Sequence, residues 1–262
     1  MDMVKACSKY DYIEKLQKLY SSNEFYVRLL QPQGRSDYWN QSIDPDGIVR
    51  DIFKEYDLWK ENNRELINHC QSIIMSNEIE CVLDFGSGPG YLILSLLDHH
   101  GSKLRLFAVE PSLLAQEHLQ KRGVEVHRSV NELVNQKFDF IIANHVIEHL
   151  FEPEQTLELL IDLLKPGGKI LIGTPDFLSP SALFFRERYR MLFEPTHISL
   201  FSLDSLLRLT RYLGLEVEEV QMPFWDSPYF QQKTFEKVLN HSNERVSPAF
   251  PGNFLLVTAR KK

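Results

Sequence analysis

The stretch Cys81-Val82-Leu83-Asp84-Phe85-Gly86-Ser87-Gly88-Pro89-Gly90, CVLDFGSGPG, decides how the rest of the chain reads. A short apolar run ends at Asp84, a turn with glycine at every second position follows, and Tyr91-Leu92-Ile93-Leu94-Ser95-Leu96-Leu97 opens like a buried helix. Strand, tight loop and helix in succession bring bare backbone close to a ligand at a helix N-terminus. The glycine spacing is G-x-G-x-G, and Tyr91 stands where the dinucleotide-binding pattern G-x-G-x-x-G wants its third glycine. A nicotinamide dinucleotide is therefore disfavoured.

Working outward, residues 80–85, 103–109, 124–127, 138–143 and 168–174 read as strands, with helices at 89–98, 112–121 and 153–164 between them. Such alternation predicts an α/β fold, a parallel sheet covered by helices on both faces. Glu152-Pro153 opens the third of those helices and Lys165-Pro166-Gly167-Gly168 closes it. A helix at 202–213, ended by Gly214, and strands near 215–221 and 253–260 complete the core. Upstream, residues 1–77 carry helical periodicity and no strand signal, with Tyr12, Ile13, Leu16, Leu19 and Tyr20 on one face. Asp44-Pro45 reads as a helix start, from which Ile48, Ile52, Phe53, Tyr56 and Trp59 share a face. The chain thus divides into a helical extension or lid, 1–77, and a main domain, 78–262, with insertions at about 175–201 and 223–252. Both insertions exceed the usual connection of about 4–6 residues, and long ordered loops tend to carry function.

With 262 residues and a net charge of -7, the chain offers no general electrostatic attraction to nucleic acid. No apolar run approaches the ~20 residues needed to span a bilayer. Met1-Asp2-Met3-Val4-Lys5 lacks the pattern of a signal peptide. Cys7, Cys70 and Cys81 are odd in number and unclustered, so a reducing, cytoplasmic setting is expected rather than a disulfide framework.

In an open parallel sheet ligands bind beyond the carboxyl ends of the strands. The first strand delivers Asp84 and the glycine loop; the second delivers Glu110, then Pro111-Ser112. A carboxylate offers two acceptor oxygens and can take both hydroxyls of a ribose. The bland reading of Glu110 is a solvated charge at a helix start, but its pairing with the glycine loop in one βαβ unit favours the ribose.

These residues resemble class I S-adenosylmethionine-dependent methyltransferases, in the branch that holds the ubiquinone-biosynthesis O-methyltransferases and many sugar and natural-product enzymes. The resemblance rests on Asp84 through Gly90, on Glu110, on Phe138 through Leu150 and on Leu164-Lys165-Pro166-Gly167-Gly168-Lys169-Ile170-Leu171-Ile172, and covers roughly residues 78–222. It implies a Rossmann-like methyltransferase fold with a seven-stranded, mostly parallel sheet. It implies S-adenosylmethionine as cofactor, with Gly86, Ser87, Gly88 and Gly90 near its amino-acid end and Asp84 acting there directly or through water. Glu110, followed by Pro111, would hold the ribose, and Asn144 and His145 would lie beside the cofactor. Many relatives place an acid after the third strand for the adenine amino group; here Ser129 stands in that place.

The implied reaction is an in-line displacement at an activated methyl group, in which alignment in a dry cleft does most of the work. A hydroxyl acceptor also needs a base, and His149, His145, Glu148 and His197 are the candidates. Glu148-His149 belongs to the family pattern and is partly structural in many relatives; the bland reading of His197 is a loop histidine bonded to backbone. His145, Glu148 and His149 share one helical face, but three ligands on one turn with no matched group elsewhere are weak as a metal site, and none is expected. Arg186 and Arg190, with aromatics beside them, suit an anionic group, and Tyr38, Trp39, Tyr56 and Trp59 suit a roof; packing or a solvated face is the plainer reading of each.

The function expected is methyl transfer to a small-molecule acceptor, anionic if the arginines bear on it, most often at a hydroxyl oxygen of a sugar, quinone or natural product. The alternatives are a silent cofactor- or partner-binding domain, or carbon or nitrogen methylation of a sugar or protein. No Asn/Asp-Pro-Pro-aromatic motif follows strand four, where the chain reads Asn144-His145-Val146-Ile147, so a nucleobase amine is disfavoured.

Overall fold

The computed structural model describes residues 27–28, 42–43, 49–50, 56–185, 189, 191, 196–222 and 254–262. Seven strands form one sheet: β1 (Cys81–Phe85), β2 (Arg105–Val109), β3 (Glu125–His127), β4 (Phe138–Asn144), β5 (Leu164–Pro175), β6 (Leu215–Gln221) and β7 (Phe254–Lys261). Their spatial order is β6-β7-β5-β4-β1-β2-β3. All neighbours run parallel except β7, which is antiparallel to both β5 and β6. The strand order reverses between β1 and β4, so the crevice for a ligand opens beyond their carboxyl ends.

Side chains alternate across the sheet and divide the core in two. Cys81, Leu83 and Phe85 of β1 face one cluster with helices α5 (Pro153–Leu163) and α7 (Leu203–Tyr212). Val82 faces the other, with α2 (Arg64–Ser76), α3 (Tyr91–His100) and α4 (Leu113–Lys121). Helix α2 earns its place through Leu66, Ile67, Cys70, Ile73 and Ile74, an apolar stripe at helical spacing that is buried along its length. Helix α7 is started by a capping box in which the Ser202 and Ser205 hydroxyls each accept from the other's backbone N–H. Pro153 stands at the first turn of α5, where its missing N–H leaves no orphan donor.

Two local readings of the sequence change. Helix α5 ends at Leu163, and the Lys-Pro-Gly-Gly run already belongs to β5, with an irregularity in its register against β4. A Cβ on Gly168 would meet the carbonyl oxygens of Lys165 at 2.9 Å and of Asp139 and Phe138 at 3.2 Å, so the strand entry needs glycine where the pairing shifts. Upstream, the first described helix is α1 (Tyr56–Asn62), and Val49–Arg50, where the sequence pattern expects helix, pairs antiparallel with Ser42–Ile43 as strand. Asp44-Pro45 itself lies outside the described residues. Val27–Arg28 pairs with Ser199–Leu200, which ties the N-terminal segment to the 175–201 insertion. Arg186 and Arg190, the aromatics Tyr38 and Trp39, the helix of Tyr12 to Tyr20 and the 223–252 insertion lie outside the described residues, as does the side chain of Trp59. Among the described residues no helix is long and apolar enough to cross a membrane.

Candidate active site

The glycine loop closes over the β1–β2 edge. Gly86 and Ser87 donate their N–H groups to Val109 O at 2.8 and 3.3 Å, and Gly88 N–H reaches Glu110 Oε2 at 2.8 Å. Gly86, Gly88 and Gly90 have φ of 75°, 53° and 89°, the left-handed region that side chains with a Cβ disfavour. A Cβ on Gly86 would meet Val146 Cγ2 at 2.4 Å, and one on Gly90 would meet Leu119 Cδ2 at 2.2 Å. The first contact joins the glycine loop to the turn after β4. The second joins it to α4.

Glu110 is buried at the end of β2, and its Oε1 accepts Ser112 N–H at 2.8 Å while Gln116 Nε2 donates to its backbone carbonyl. Two bonded donors leave lone pairs on both carboxylate oxygens for a ribose. Asp84 is buried as well, with Oδ2 unpartnered, and so is Ser87 Oγ. Orphaned polar atoms beside a bare-backbone loop fit a polar ligand whose groups complete them. Pro111 is exposed at the cleft rim, whereas Ser129 Oγ accepts Asn131 N–H at 3.3 Å and caps a short 3-10 turn. The hydroxyl in the acid's place thus already has local work. Asn144 lies across Gly173, whose absent Cβ makes room for its amide.

At the end of β4 the chain turns through His145, with φ of 54°, the one described non-glycine residue at positive φ. Its N–H donates to Gly173 O at 2.9 Å, and its ring meets Phe254 of β7 edge-on with centroids 5.1 Å apart. Nδ1 lies 2.9 Å from Glu148 Oε1, so the carboxylate draws the ring hydrogen to Nδ1 and leaves Nε2 as the acceptor. The pair is polarised in exposure: the histidine side chain is 36% exposed and the glutamate 0%. Glu148 Oε2 accepts the Thr174 hydroxyl at 3.1 Å, and its carbonyl takes Ile198 N–H. Burial would raise the Glu148 pKa, but the His145 hydrogen bond, then the attraction of His145, His149 and His197 in their protonated forms, outweigh it and hold it at about 2.

His149 and His197 stand behind this pair, with ring centroids 4.8 Å apart. His149 Nδ1–H donates to Thr196 O and His197 Nδ1–H to Met191 O, each at 3.0 Å. Burial, then the neighbouring His149, pushes the His197 pKa down to about 3, so its ring is neutral at ordinary pH. Ligand atoms of Glu148, His149 and His197 lie within 4.8 Å of one another. A carboxylate and two imidazoles oriented by carbonyls are a set that suits a divalent ion. The third member of the set comes from the 175–201 insertion, which one-turn spacing cannot reveal. The four candidate bases thus meet in one place, and His145 combines a carboxylate partner with a partly exposed ring. Thr174 escaped the sequence reading, although inspecting the carboxyl end of β5 would have reached it.

Residues 27–220 match a family described as a methyltransferase domain. The chain belongs to that family. It is a class I S-adenosylmethionine-dependent methyltransferase, with S-adenosylmethionine as its cofactor. The methyltransferase is 30% identical over 184 residues to a ubiquinone biosynthesis O-methyltransferase of Dinoroseobacter shibae, spanning 64% of this chain and 73% of that one. It is 25% identical over 149 residues to a protein of the same name from Coxiella burnetii, spanning 51% of this chain and 63% of that one. Its fold is shared with a methyltransferase from Thermotoga maritima described as a possible histamine N-methyltransferase, at a TM-score of 0.56 and 24% identity, over 80% of this chain and 97% of that one. A methyltransferase from Archaeoglobus fulgidus aligns at a TM-score of 0.56 and 20% identity, over 80% and 98% of the two chains.

Proposed function

We propose that this methyltransferase acts on a hydroxyl oxygen of a small-molecule acceptor, with His145 as the base and Glu148 as the residue that positions it. The observation that carries this reading is the His145–Glu148 pair, a partly exposed imidazole held by a fully buried carboxylate at the carboxyl end of β4. Bound S-adenosylmethionine supplies an activated sulfonium methyl group. Beside it, Nε2 of His145 takes the hydroxyl proton as the oxygen becomes a nucleophile, and Glu148 stabilises the imidazolium. The strained φ of His145 supports this role, because backbone strain of that kind persists where a site over-determines it. His197 is a poor base, with its pKa held near 3, and His149 reads as packing and orientation behind the pair.

For the cofactor, the reading assigns Gly86, Ser87, Gly88, Gly90 and Asp84 to the amino-acid end and Glu110 to the ribose, with Pro111, Ser129, Asn144 and His145 around them. The orphaned Asp84 Oδ2 and Ser87 Oγ support it. The Tyr56 hydroxyl lies 3.4 Å from Gly90 O, which supports a lid role for residues 1–77 over the 78–262 domain. Buried free thiols at Cys70 and Cys81 accord with a reducing cytoplasm. The relatives named as ubiquinone biosynthesis O-methyltransferases support an oxygen acceptor.

The test is a panel of phenolic and sugar acceptors with S-adenosylmethionine, with the product's methyl position read by NMR. An O-methyl product is expected, with turnover in His145→Ala at least 100-fold lower and cofactor affinity within twofold of wild type. Undiminished turnover in that variant removes His145 as the base, and transfer to carbon or nitrogen removes the oxygen assignment.

A further inference from the structure

Two buried carboxyls flank the glycine loop, and the fold treats them differently. The parallel register pairs Phe85 with Val109, so Asp84 and Glu110 leave neighbouring strands on either side of that rung. Glu110 accepts backbone N–H groups on both oxygens. Asp84 accepts none from a described residue, and its Oδ2 is sealed from water. A carboxylate without donors, removed from water and facing a second carboxylate, is costly to ionise. Of two such neighbours, the one lacking donors holds the proton. Burial, with the Glu110 charge second, raises the Asp84 pKa to about 7.

We propose that Asp84 is a proton-linked counter-ion, protonated in the free enzyme near neutral pH and releasing that proton to solvent when the cationic end of S-adenosylmethionine enters the cleft. The inference rests on the site assignment made above. The one bond that breaks is the carboxyl O–H: its electron pair stays on the oxygen, its proton passes to solvent, and the ligand's ammonium replaces it as the partner of the oxygen. A neutral Asp84 spares the empty cleft a second buried negative charge, and ionisation on binding restores it where a cation is present to oppose it.

Among the described residues two titratable groups face Asp84. Glu110 comes from β2, and the Cys70 thiol comes from α2, with a pKa driven up by burial and then by Asp84 itself, so it stays neutral throughout. The sign follows from linkage. A group with a free-state pKa near 7 that is lower in the complex binds fewer protons there, so affinity rises with pH and levels off above that value. Below it, affinity falls about tenfold per pH unit until the bound-state pKa is reached.

Calorimetric titration of the full chain with S-adenosylmethionine, in buffers of different ionisation enthalpy, counts the protons released. About 0.9 proton is expected at pH 6 and about half a proton at pH 7 for a free-state pKa of about 7. Asp84→Asn is expected to bind more weakly with no release at pH 6, and its titration subtracts any contribution from the ligand's own amine. Should that variant fail to fold, the wild-type profile decides: about tenfold tighter binding from pH 5.5 to 6.5, levelling between 7 and 7.5, is expected. Binding without proton release at pH 6, or a flat profile, overturns the proposal and leaves the cofactor site standing. No binding by the wild type at any pH overturns both.

Discussion

Replacing Gly86 by alanine tests how the cofactor loop is built. The residue has a φ of 75°, and a Cβ there would stand 2.4 Å from Val146 Cγ2 and 3.3 Å from Cγ1. Left-handed backbone costs an L-residue about 1–2 kcal/mol. Forcing a methyl into a filled space adds about 1–3 kcal/mol, so Gly86→Ala should destabilise by about 2–5 kcal/mol in total. The two contributions separate in a double-mutant cycle. Val146→Ala removes both γ methyls and costs about 1 kcal/mol alone, since Val146 is only partly buried against the core. In the double variant the overpacking disappears and the backbone cost remains, so the coupling should be about 1–3 kcal/mol in the stabilising direction. Urea denaturation followed by circular dichroism measures all four corners of the cycle. Single costs that merely add would refute the contact between the glycine loop and the turn after β4. A Gly86→Ala cost below about 1 kcal/mol would refute the left-handed backbone as well. The contact matters functionally because Val146 follows His145, so this glycine holds the cofactor loop against the proposed base.

Other expectations concern the scaffold. Ser202→Ala breaks the capping box of α7 and should cost about 1 kcal/mol in the same denaturation assay; a loss below a few tenths would mean the hydroxyl pair is not holding the helix start. Burial would raise the Asp139 pKa, but the Lys165 hydrogen bond, the N–H groups of Glu80 and Cys81 and the Lys165 charge lower it overall. A carboxyl depressed in the folded state adds stability that is present above its unfolded pKa and is lost as pH falls through the folded one. Wild type should therefore lose more stability than Asp139→Asn as pH falls from 5 to 3, and parallel curves would deny the network a part in acid stability.

Much of this site was legible one strand end at a time. Asp84, the glycines and Glu110 announce themselves because tight backbone turns, and the ribose proposed for Glu110, place narrow demands on residue type over a short span. The Lys-Pro-Gly-Gly run was read as a helix stop, and its glycines have a different purpose: Gly168 sits where three carbonyl oxygens leave no room for a Cβ. Asp44-Pro45 carries a helix-start signal, yet Val49–Arg50 just beyond it, where that pattern expects helix, pairs as strand with Ser42–Ile43. Local propensity is worth a few tenths of a kcal/mol per residue, and long-range pairing routinely exceeds it.

The roles within the histidine cluster were the least legible. His145, His149 and Glu148 looked equivalent on one helical face, and His197 lies far beyond them in the chain.

 Along the chain His197 stands 48 residues after His149, yet their rings meet at 4.8 Å. Burial and hydrogen-bond direction separate the four: Glu148 is sealed, His197 is neutral and committed to Met191 O, His149 is bonded to Thr196 O, and His145 keeps an open edge.

By itself the sequence determined the cofactor class and the order of strands and helices, because both are written in short-range patterns of glycine, acid and apolar residues. The tertiary structure alone decided which histidine keeps a partly exposed ring, which buried carboxylate holds it and why Asp84 lacks a donor among the described residues. Those properties depend on which side chains meet across β1, β2, β4 and β5, and on how much water each keeps, and neither quantity is local in the chain.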